Sequence, residues 1–240
     1  MINNLKLQFA FFWVGQDISI PSALVDSIRF IYGEEAYIYQ LSDKKTDSIK
    51  GVDKIIRDEL PNDIMLARLK AYSLIKTQNT TLFLDADSLV IQKLKLPDFN
   101  KFIACLVKRD DETSILNHNY PEYYPEFLNQ KMIDIMPILF GLIITPDGGK
   151  LFDELFNNAF KLPDRFHRWY GDQMAIAEEW IKNKENYLLL KQEEYLFVTR
   201  TPLKKVQLKN LIKMGVKIIT FKGPHSKQFI PETLKELINE

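Results

Sequence analysis

Two aspartates separated by one alanine are the residues of this chain with the clearest chemical potential. Asp85 and Asp87 follow a short apolar run, 82–84, that predicts a buried strand. Side chains alternate along an extended chain, so both carboxylates can point to the same side. Ligands of open α/β sheets bind beyond the carboxyl ends of strands, and hard divalent cations take carboxylates together with substrate phosphates. The pair therefore predicts a cation site that carries phosphate, with a solvated turn as the alternative.

A helix predicted at 61–77 leads into this strand and carries an arginine. Arg68 lies on or beside the apolar stripe that includes Ile64 and Ala71. An unpaired buried charge is costly, so the guanidinium must reach either a partner or, from the edge of the stripe, water. We therefore expect the helix and the acidic strand to form one supersecondary unit.

The elements around this unit indicate the fold class. Apolar runs bounded by turn residues predict further strands, and helical spacing of apolar residues separates the early ones. The predicted strands are 7–14, 36–41, 52–57, 82–84, 138–145 and 216–221, with one or two more in 187–198. Strands that alternate with helices are typical of a parallel-type sheet in an α/β protein.

Composition sets the limits on function. The chain has 240 residues, of which 46% are hydrophobic, and its 32 basic residues balance its 32 acidic ones. The length suits one large α/β domain, or one domain with a small appendage, and a zero net charge gives no global field to recruit nucleic acid. The single cysteine, Cys105, excludes a disulfide framework and a cysteine zinc site. Without a leader or a membrane-length apolar stretch, we expect a cytoplasmic protein.

Taken in order, these features resemble the glycogenin-like nucleotide-sugar glycosyltransferases of the GT-A fold. The strongest match is Arg68 on a helix followed by Leu84-Asp85-Ala86-Asp87, which is similar to the metal motif of that family, and the resemblance covers about residues 7–227. It implies an α/β fold whose Rossmann-like, mostly parallel central sheet is flanked by helices. It also implies a single domain, 1–240, with a nucleotide-binding half in 1–100 and a donor-sugar and acceptor half in 101–240.

The resemblance assigns expected roles to individual residues. The residues that would bind the nucleotide are Val14, Gly15, Asp43, Arg68, Asp85, Ala86, Lys222, Gly223 and Lys227. Mn²⁺ or Mg²⁺ would be held by Asp85, Asp87 and His225. Asp172 with Gln173 resembles an Asp-Gln pair near the donor sugar, although an aspartate at this position would also cap a helix.

The late segment departs from the family pattern in three places. Thr220 stands where the family has histidine, and the nearest histidine, His225, follows Gly223 instead of preceding it. Lys227 comes one residue later than usual. In the strand at 138–145, leucine occupies the position two residues before Gly141 where the family often has asparagine. The third metal ligand is therefore open between the neighbourhood of Thr220 and His225.

The resemblance implies a metal-dependent glycosyltransferase that moves a sugar from a nucleotide-diphosphate donor, a UDP-sugar, to a glycan or lipid-linked acceptor with retention. A haloacid-dehalogenase-like phosphatase also places Asp-x-Asp after a strand, but usually has Thr or Val where this chain has Leu89. A sugar nucleotidylyltransferase would need a glycine-rich loop after the first strand. A catalytically degenerate sugar-nucleotide-binding protein is the non-enzymatic alternative. The oligomeric state is left open.

A basic amphipathic helix predicted at 203–214 raises the question of membrane contact. Lys204, Lys205, Lys209 and Lys213 accompany apolar residues at helical spacing. Such a helix can lie on an anionic membrane, which would suit a lipid-linked acceptor and a peripheral position at the inner face. A solvated helix face is the alternative.

Overall fold

The computed structural model describes residues 7–110, 125–127, 130–223 and 225–239, and these ranges contain ten strands and nine α-helices. The strands are β1 (Leu7–Phe12), β2 (Ala36–Ser42), β3 (Lys54–Arg57), β4 (Thr81–Leu84), β5 (Ser88–Val90), β6 (Ala104–Lys108), β7 (Ile138–Thr145), β8 (Tyr187–Lys191), β9 (Leu196–Thr199) and β10 (Ile218–Phe221). The helices are α1 (Ser19–Tyr32), α2 (Ile64–Ser73), α3 (Met132–Ile135), α4 (Lys150–Phe160), α5 (Asp164–Arg168), α6 (Gly171–Lys182), α7 (Gln192–Tyr195), α8 (Lys205–Lys213) and α9 (Ile230–Ile238).

Seven strands form a central, mostly parallel sheet in the order β3-β2-β1-β4-β7-β6-β8. Only β7 runs antiparallel to its neighbours, β4 and β6, among the pairings described. The register places Phe12 of β1 beside Leu41 of β2, and Phe11 beside Leu84 of β4. The carboxyl ends of these three strands therefore meet at one edge, where ligands of such sheets bind.

Helices cover both faces of this sheet, which explains the apolar runs in its strands. Phe9 and Phe11 of β1 pack with α1 on one face, and Ala10 and Phe12 pack with α2 and α4 on the other. On the second face Tyr72 packs edge-on against Phe152, with ring centroids 5.0 Å apart. The same ring packs against Phe83 of β4, with ring centroids 4.9 Å apart, so α2 lies against the end of β4.

A second sheet of three strands, in the order β5-β10-β9, brings distant parts of the chain together. β10 is antiparallel to β5, with Thr220 opposite Ser88, and parallel to β9. Just before β5, the carbonyl of Asp87 accepts a hydrogen bond of 3.0 Å from the Phe221 N–H. The small sheet thus holds the segment after β10 against the acidic pair.

The predicted elements are largely present, and the largest difference is the length of α2. α2 is shorter than the predicted 61–77 because Asp63 is extended and the Leu74 N–H turns back to the Ala71 carbonyl. The apolar segment 187–198, predicted to hold one or two strands, contains two, β8 and β9, which α7 separates and which belong to different sheets. Periodicity cannot detect such a split, because a short apolar run reads the same on either side of a break.

The basic helix predicted at 203–214 is α8, and much of its apolar face is covered. Leu208 and Leu211 are buried in a cluster with residues of α9 and β10. Lys204 pairs with Glu232 of α9, and the Lys205 Nζ donates to the Asn239 carbonyl. Much of the apolar face is therefore packed inside the protein, although Val206 is 70% exposed, and membrane contact stays a prediction. No helix in the described part of the chain is both long and apolar enough to cross a membrane.

Candidate functional site

The first two loops at the carboxyl edge of the sheet are tied together by a buried threonine. The Gly15 N–H, after β1, donates to Thr46 Oγ1 at 3.1 Å. Asp43 Oδ1, after β2, accepts from the Thr46 N–H at 2.8 Å and from its hydroxyl at 2.6 Å. The Thr46 hydroxyl is the main reason that the pKa of Asp43 lies below its usual value. Val14 is half-buried beside this junction, so the loops expected to receive the nucleobase lie next to each other.

Sequence reasoning missed Thr46, although a signal was present. An aspartate followed three residues later by threonine is typical of a turn in which the aspartate accepts local backbone hydrogen bonds. Asp43 therefore shapes the loop through Oδ1. Its contact with a base or ribose stays a prediction.

Arg68 finds the partners that its position on α2 demanded. Its Nη1 donates to Asp85 Oδ1 at 2.7 Å, and its Nη2 contacts Asp172 Oδ2 at the start of α6. The guanidinium carbon lies 4.4 Å from the centroid of the Phe140 ring, in cation–π geometry. Arg68 thus connects α2, the end of β4 and α6, and its positive charge is paired with two carboxylates of the protein.

Asp172 lies inside the protein, which does not match the expected sugar contact. Its exposed fraction is 0%, and its Oδ1 accepts from the Gln173 N–H at 2.7 Å. The reason lies one residue earlier: a Cβ at Gly171 would stand 2.3 Å from the Phe166 carbonyl oxygen. This close approach draws the start of α6, and Asp172 with it, against Arg68. Gln173 is the half-buried member of the pair, and its Oε1 accepts from Arg109 at 2.5 Å.

Two lysines from the late segment meet the two aspartates. The Lys222 Nζ donates to Asp85 Oδ2 at 2.6 Å, and the Lys227 Nζ lies 3.0 Å from Asp87 Oδ2. Gly223, between them, adopts a φ of +95°, a left-handed conformation that suits glycine and lets the chain turn sharply after Lys222. The late segment therefore reaches the acidic pair as expected, but through ion pairs to the carboxylates.

The electrostatics of this cluster favour the charged forms of Asp85 and Lys222. Burial on its own would raise the pKa of Asp85, but the charges of Lys222 and Arg68 outweigh it and hold the pKa well below the usual range. Burial would lower the pKa of Lys222, yet the neighbouring Asp85 and Asp87 carboxylates raise it. Asp85 and Lys222 are therefore both ionised at neutral pH.

Gly141 on β7 is a second residue whose role the sequence did not reveal. Its carbonyl accepts the Asp85 N–H at 3.2 Å. A Cβ at this position would stand 2.9 Å from Leu196 Cδ2 and 3.4 Å from Asp85 Oδ2. A glycine inside a strand often marks such a close approach, which was the available signal. Ala86, also buried, completes the tight bend between the two aspartates.

The third expected metal ligand does not join the aspartates. His225 is exposed on the turn after Gly223, because β10 ends at Phe221 and the side chain that faces the acids is that of Lys222. In residues 7–110, 125–127, 130–223 and 225–239, no three His, Cys, Asp or Glu side chains come together as a metal site. The expected set of Asp85, Asp87 and His225 is therefore not assembled.

The charges around the aspartates do not fit a resident divalent cation. Three of their four carboxylate oxygens are held by Arg68, Lys222 and Lys227. Among the described atoms, Asp87 Oδ1 and the hydroxyls of Ser88 and Thr220 are buried without a hydrogen-bond partner. These hydroxyls are neutral, and two ammonium groups already beside the carboxylates would repel a further cation. The aspartates therefore offer a cation one unpaired carboxylate oxygen, with three positively charged side chains close by.

Comparison with known proteins defines the class of fold. A mostly parallel α/β sheet flanked by helices is the architecture of GT-A glycosyltransferases. Two solved structures of the galactosyltransferase LgtC share it. One, in complex with donor and acceptor sugar analogues, has a TM-score of 0.58 at 12% identity and covers 97% of this chain and 95% of its own.

The second, an active-site glutamine-to-glutamate mutant of LgtC, has a TM-score of 0.55 at 12% identity and covers 90% of this chain and 88% of its own. No protein-family model and no curated protein matches the sequence. At this level of identity the likeness shows the fold alone. The expected GT-A fold is thus confirmed, while the features specific to glycogenin-like enzymes stay predictions.

Proposed function

We propose that the chain is a glycosyltransferase that moves a sugar from a nucleoside-diphosphate donor, a UDP-sugar, to a glycan or lipid-linked acceptor. The observation that carries the proposal is the convergence of Lys222 and Lys227 on Asp85 and Asp87 at the carboxyl edge of the sheet. Strands that are distant in sequence build this cluster where sheets of this kind bind nucleotides. The fold shared with LgtC supports the same conclusion.

The chemistry assigned to the cluster is stabilisation of the leaving group. When the bond between the sugar and the diphosphate breaks, negative charge develops on the departing phosphate. Lysines placed at that point stabilise the charge, because charge-assisted hydrogen bonds to phosphate are strong in a partly buried site. Arg68 acts as a positioning residue, since both of its partners are carboxylates of the protein.

The remaining roles follow from the resemblance and the position of each residue. Val14, Gly15 and Asp43 would bind the nucleoside, and Ala86 and Gly223 would line the diphosphate. Residues 1–100 would hold the nucleotide and 101–240 the sugar and acceptor, within one domain. The resemblance also implies retention of anomeric configuration and a sugar contact from Asp172, which would have to leave Arg68 to make it.

The arrangement of the side chains gives little support to the expected metal dependence. Mn²⁺ or Mg²⁺ is the cofactor that the resemblance implies, with ligands Asp85, Asp87 and His225. The paired state of the carboxylates and the position of His225 do not fit such an ion. The proposed transfer therefore depends on the side chains of the protein.

A ligand screen tests the proposed function. Nucleoside diphosphates and nucleotide sugars should be tested for their effect on the melting temperature, because a ligand that binds the native state stabilises it. We expect the nucleoside diphosphate with one particular base to raise the melting temperature. The nucleotide sugar with the same base should release nucleoside diphosphate when an acceptor is present. The Lys227→Met variant should lose most of this shift, while a surface variant, Lys182→Met, should keep it. No shift with any nucleotide would contradict the proposal.

The buried state of Asp85 argues against the phosphatase alternative. A nucleophilic carboxylate must reach a phosphorus atom, but both oxygens of Asp85 are held by cationic side chains. The burial of Asp172 and the threonine at position 220 favour the second candidate, a protein that binds a sugar nucleotide without transferring it. Nucleotide binding without release of nucleoside diphosphate in the presence of any acceptor would identify that case.

A further inference from the structure

We infer that Lys222 and Lys227 occupy the role of a divalent cation, so that this site binds a donor diphosphate without metal. The inference rests on the proposed function and goes beyond it, because it reassigns Asp85 and Asp87 from binding a metal to holding two lysines. It is carried by backbone geometry, by exposure and by the count of charges around the two aspartates.

The backbone fixes Lys222 at the acidic pair. The preceding Phe221 N–H donates to the Asp87 carbonyl at 3.0 Å, and the Lys222 N–H donates to the Thr199 carbonyl at 3.1 Å. Lys222 is therefore tied on one side to the acidic bend and on the other to β9. Thr220 and Lys222 lie two residues apart on an extended segment, so they face the same side. Thr220, at the position expected for histidine, therefore lies on the same side of the segment as Lys222, which contacts Asp85.

The exposures place the ammonium groups in front of the aspartates. The side chains of Lys222 and Lys227 are 35% and 34% exposed, whereas those of Asp85 and Asp87 are 10% and 13% exposed. An arriving anion would therefore meet the lysines first. An ammonium group has three donors, and each lysine makes one ion pair to an aspartate, so donors remain for phosphate oxygens.

The charges balance without a metal. Lys222 and Lys227 together carry the same +2 charge that a divalent ion would bring, and they offset the two aspartates. Arg68 is shared between Asp85 and the buried Asp172, so it holds the inner side of the cluster. An incoming diphosphate would take hydrogen bonds from the lysines while the aspartates keep both ammonium groups in place. A purely structural ion pair would not need two partly exposed lysines on the side that faces the ligand.

Isothermal titration of the full chain tests the inference without any variant. Uridine, thymidine, guanosine, cytidine and adenosine diphosphates should be titrated in EDTA and again in Mn²⁺ or Mg²⁺. We expect at least one of them to bind in EDTA with an affinity within about threefold of that in metal. Binding that appears only when metal is present would overturn the inference and leave the proposed function standing. Binding under neither condition would overturn the proposed function, and this inference with it.

The Lys222→Met variant adds a readout that a structural role would not change. The substitution removes the charge, so nucleotide affinity in EDTA should fall at least about tenfold. It also frees Asp85 Oδ2, so Mn²⁺ should recover part of that affinity, and Mn²⁺ alone should bind the variant but not the wild type. Lys93→Met is the matched control, because Lys93 Nζ lies 2.6 Å from Glu35 in an exposed pair. Unchanged affinity in Lys222→Met, with the variant folded by its melting curve, would contradict the inference.

Discussion

At the scale of single residues, the site consists of alternating positive and negative side chains that pair with one another. Arg68 lies between Asp85 and Asp172, and Asp85 lies between Arg68 and Lys222. Each carboxylate is therefore compensated, which is the condition under which charged groups can be buried. Asp85 has two cationic partners, whereas the buried Asp172 pairs with Arg68.

The Arg68→Met variant should be strongly destabilised for this reason. Loss of the guanidinium leaves Asp172, which has no exposed surface, without a cationic partner. We expect the free energy of unfolding, measured in urea, to fall by about 3–5 kcal/mol. The comparison variant is Arg165→Met, which breaks an ion pair to Glu126 between two exposed side chains and should cost no more than about 1 kcal/mol. Equal losses in the two variants would show that the buried pairing is not what holds α6.

Part of this arrangement could be predicted from the sequence, and part of it could not. It predicted the acidic pair, and it predicted that Arg68 must find a partner, because both follow from local pattern and burial. It could not predict that Asp172 is the second partner, since that contact depends on the close approach of α6 allowed by Gly171. It selected Lys222 and Lys227 as phosphate-binding residues, but it did not predict their ion pairs with the aspartates. Those ion pairs depend on the order of the strands, which local pattern does not give.

At the scale of elements, the site depends on how α2 supports the end of β4. The Tyr72 hydroxyl donates to the Leu84 carbonyl at 2.9 Å, immediately before Asp85. The same ring packs against Phe83 and Phe152. One helix therefore supplies both Arg68, which pairs with Asp85, and the hydrogen bond that holds the backbone leading into it.

The Tyr72→Phe variant tests this support. The change keeps the ring but leaves a buried carbonyl without its donor, which should cost about 1–3 kcal/mol of unfolding free energy. Tyr37→Phe on β2 is the control, because its ring packs beside Tyr39 rather than beneath Leu84, and it should change stability by less than about 0.5 kcal/mol. Denaturant curves of the two variants give the comparison. A Tyr72→Phe variant as stable as the wild type would mean that another donor reaches this carbonyl.

The bounds of the elements show what local pattern can and cannot establish. The predicted strand at 138–145 coincides with β7, because its eight residues are all buried and its apolar run has clear ends. The pairing of β10 with β5 was not predictable from periodicity, because apolar alternation does not say which strands are neighbours. That pairing is nevertheless what delivers Lys222 to Asp85.

At the scale of the whole molecule, one buried thiol on the strand next to the β8 edge can be used to follow unfolding of the central sheet. Cys105 lies on β6, between β7 and β8, and is fully buried. Burial raises the pKa of the thiol to about 12, compared with about 8.5 for an exposed cysteine. Because the thiolate is the reactive form, the native protein should be close to inert toward thiol reagents.

Labelling of Cys105 by a disulfide reagent near pH 8 should therefore follow unfolding of the sheet. We expect little reaction in buffer and complete reaction in denaturant, with a midpoint that matches the spectroscopic transition. Rapid labelling of the native protein would indicate that the sheet opens locally at β6.

The raised pKa of Cys105 belongs to the folded state. The contribution of this thiol to the free energy of unfolding should therefore be full below about pH 8.5 and decline as the pH rises above that value.

The division of strands between the two sheets also orders events during synthesis. All seven strands of the central sheet lie before residue 192, whereas β9 and β10 follow it. A growing chain can therefore assemble its main sheet, with Asp85 and Asp87 already at the edge, before Lys222 and Lys227 have been added. During that interval Asp85 already has Arg68 as a partner, but Asp87 still lacks Lys227, so the main sheet can form before the lysines that would hold a phosphate are present.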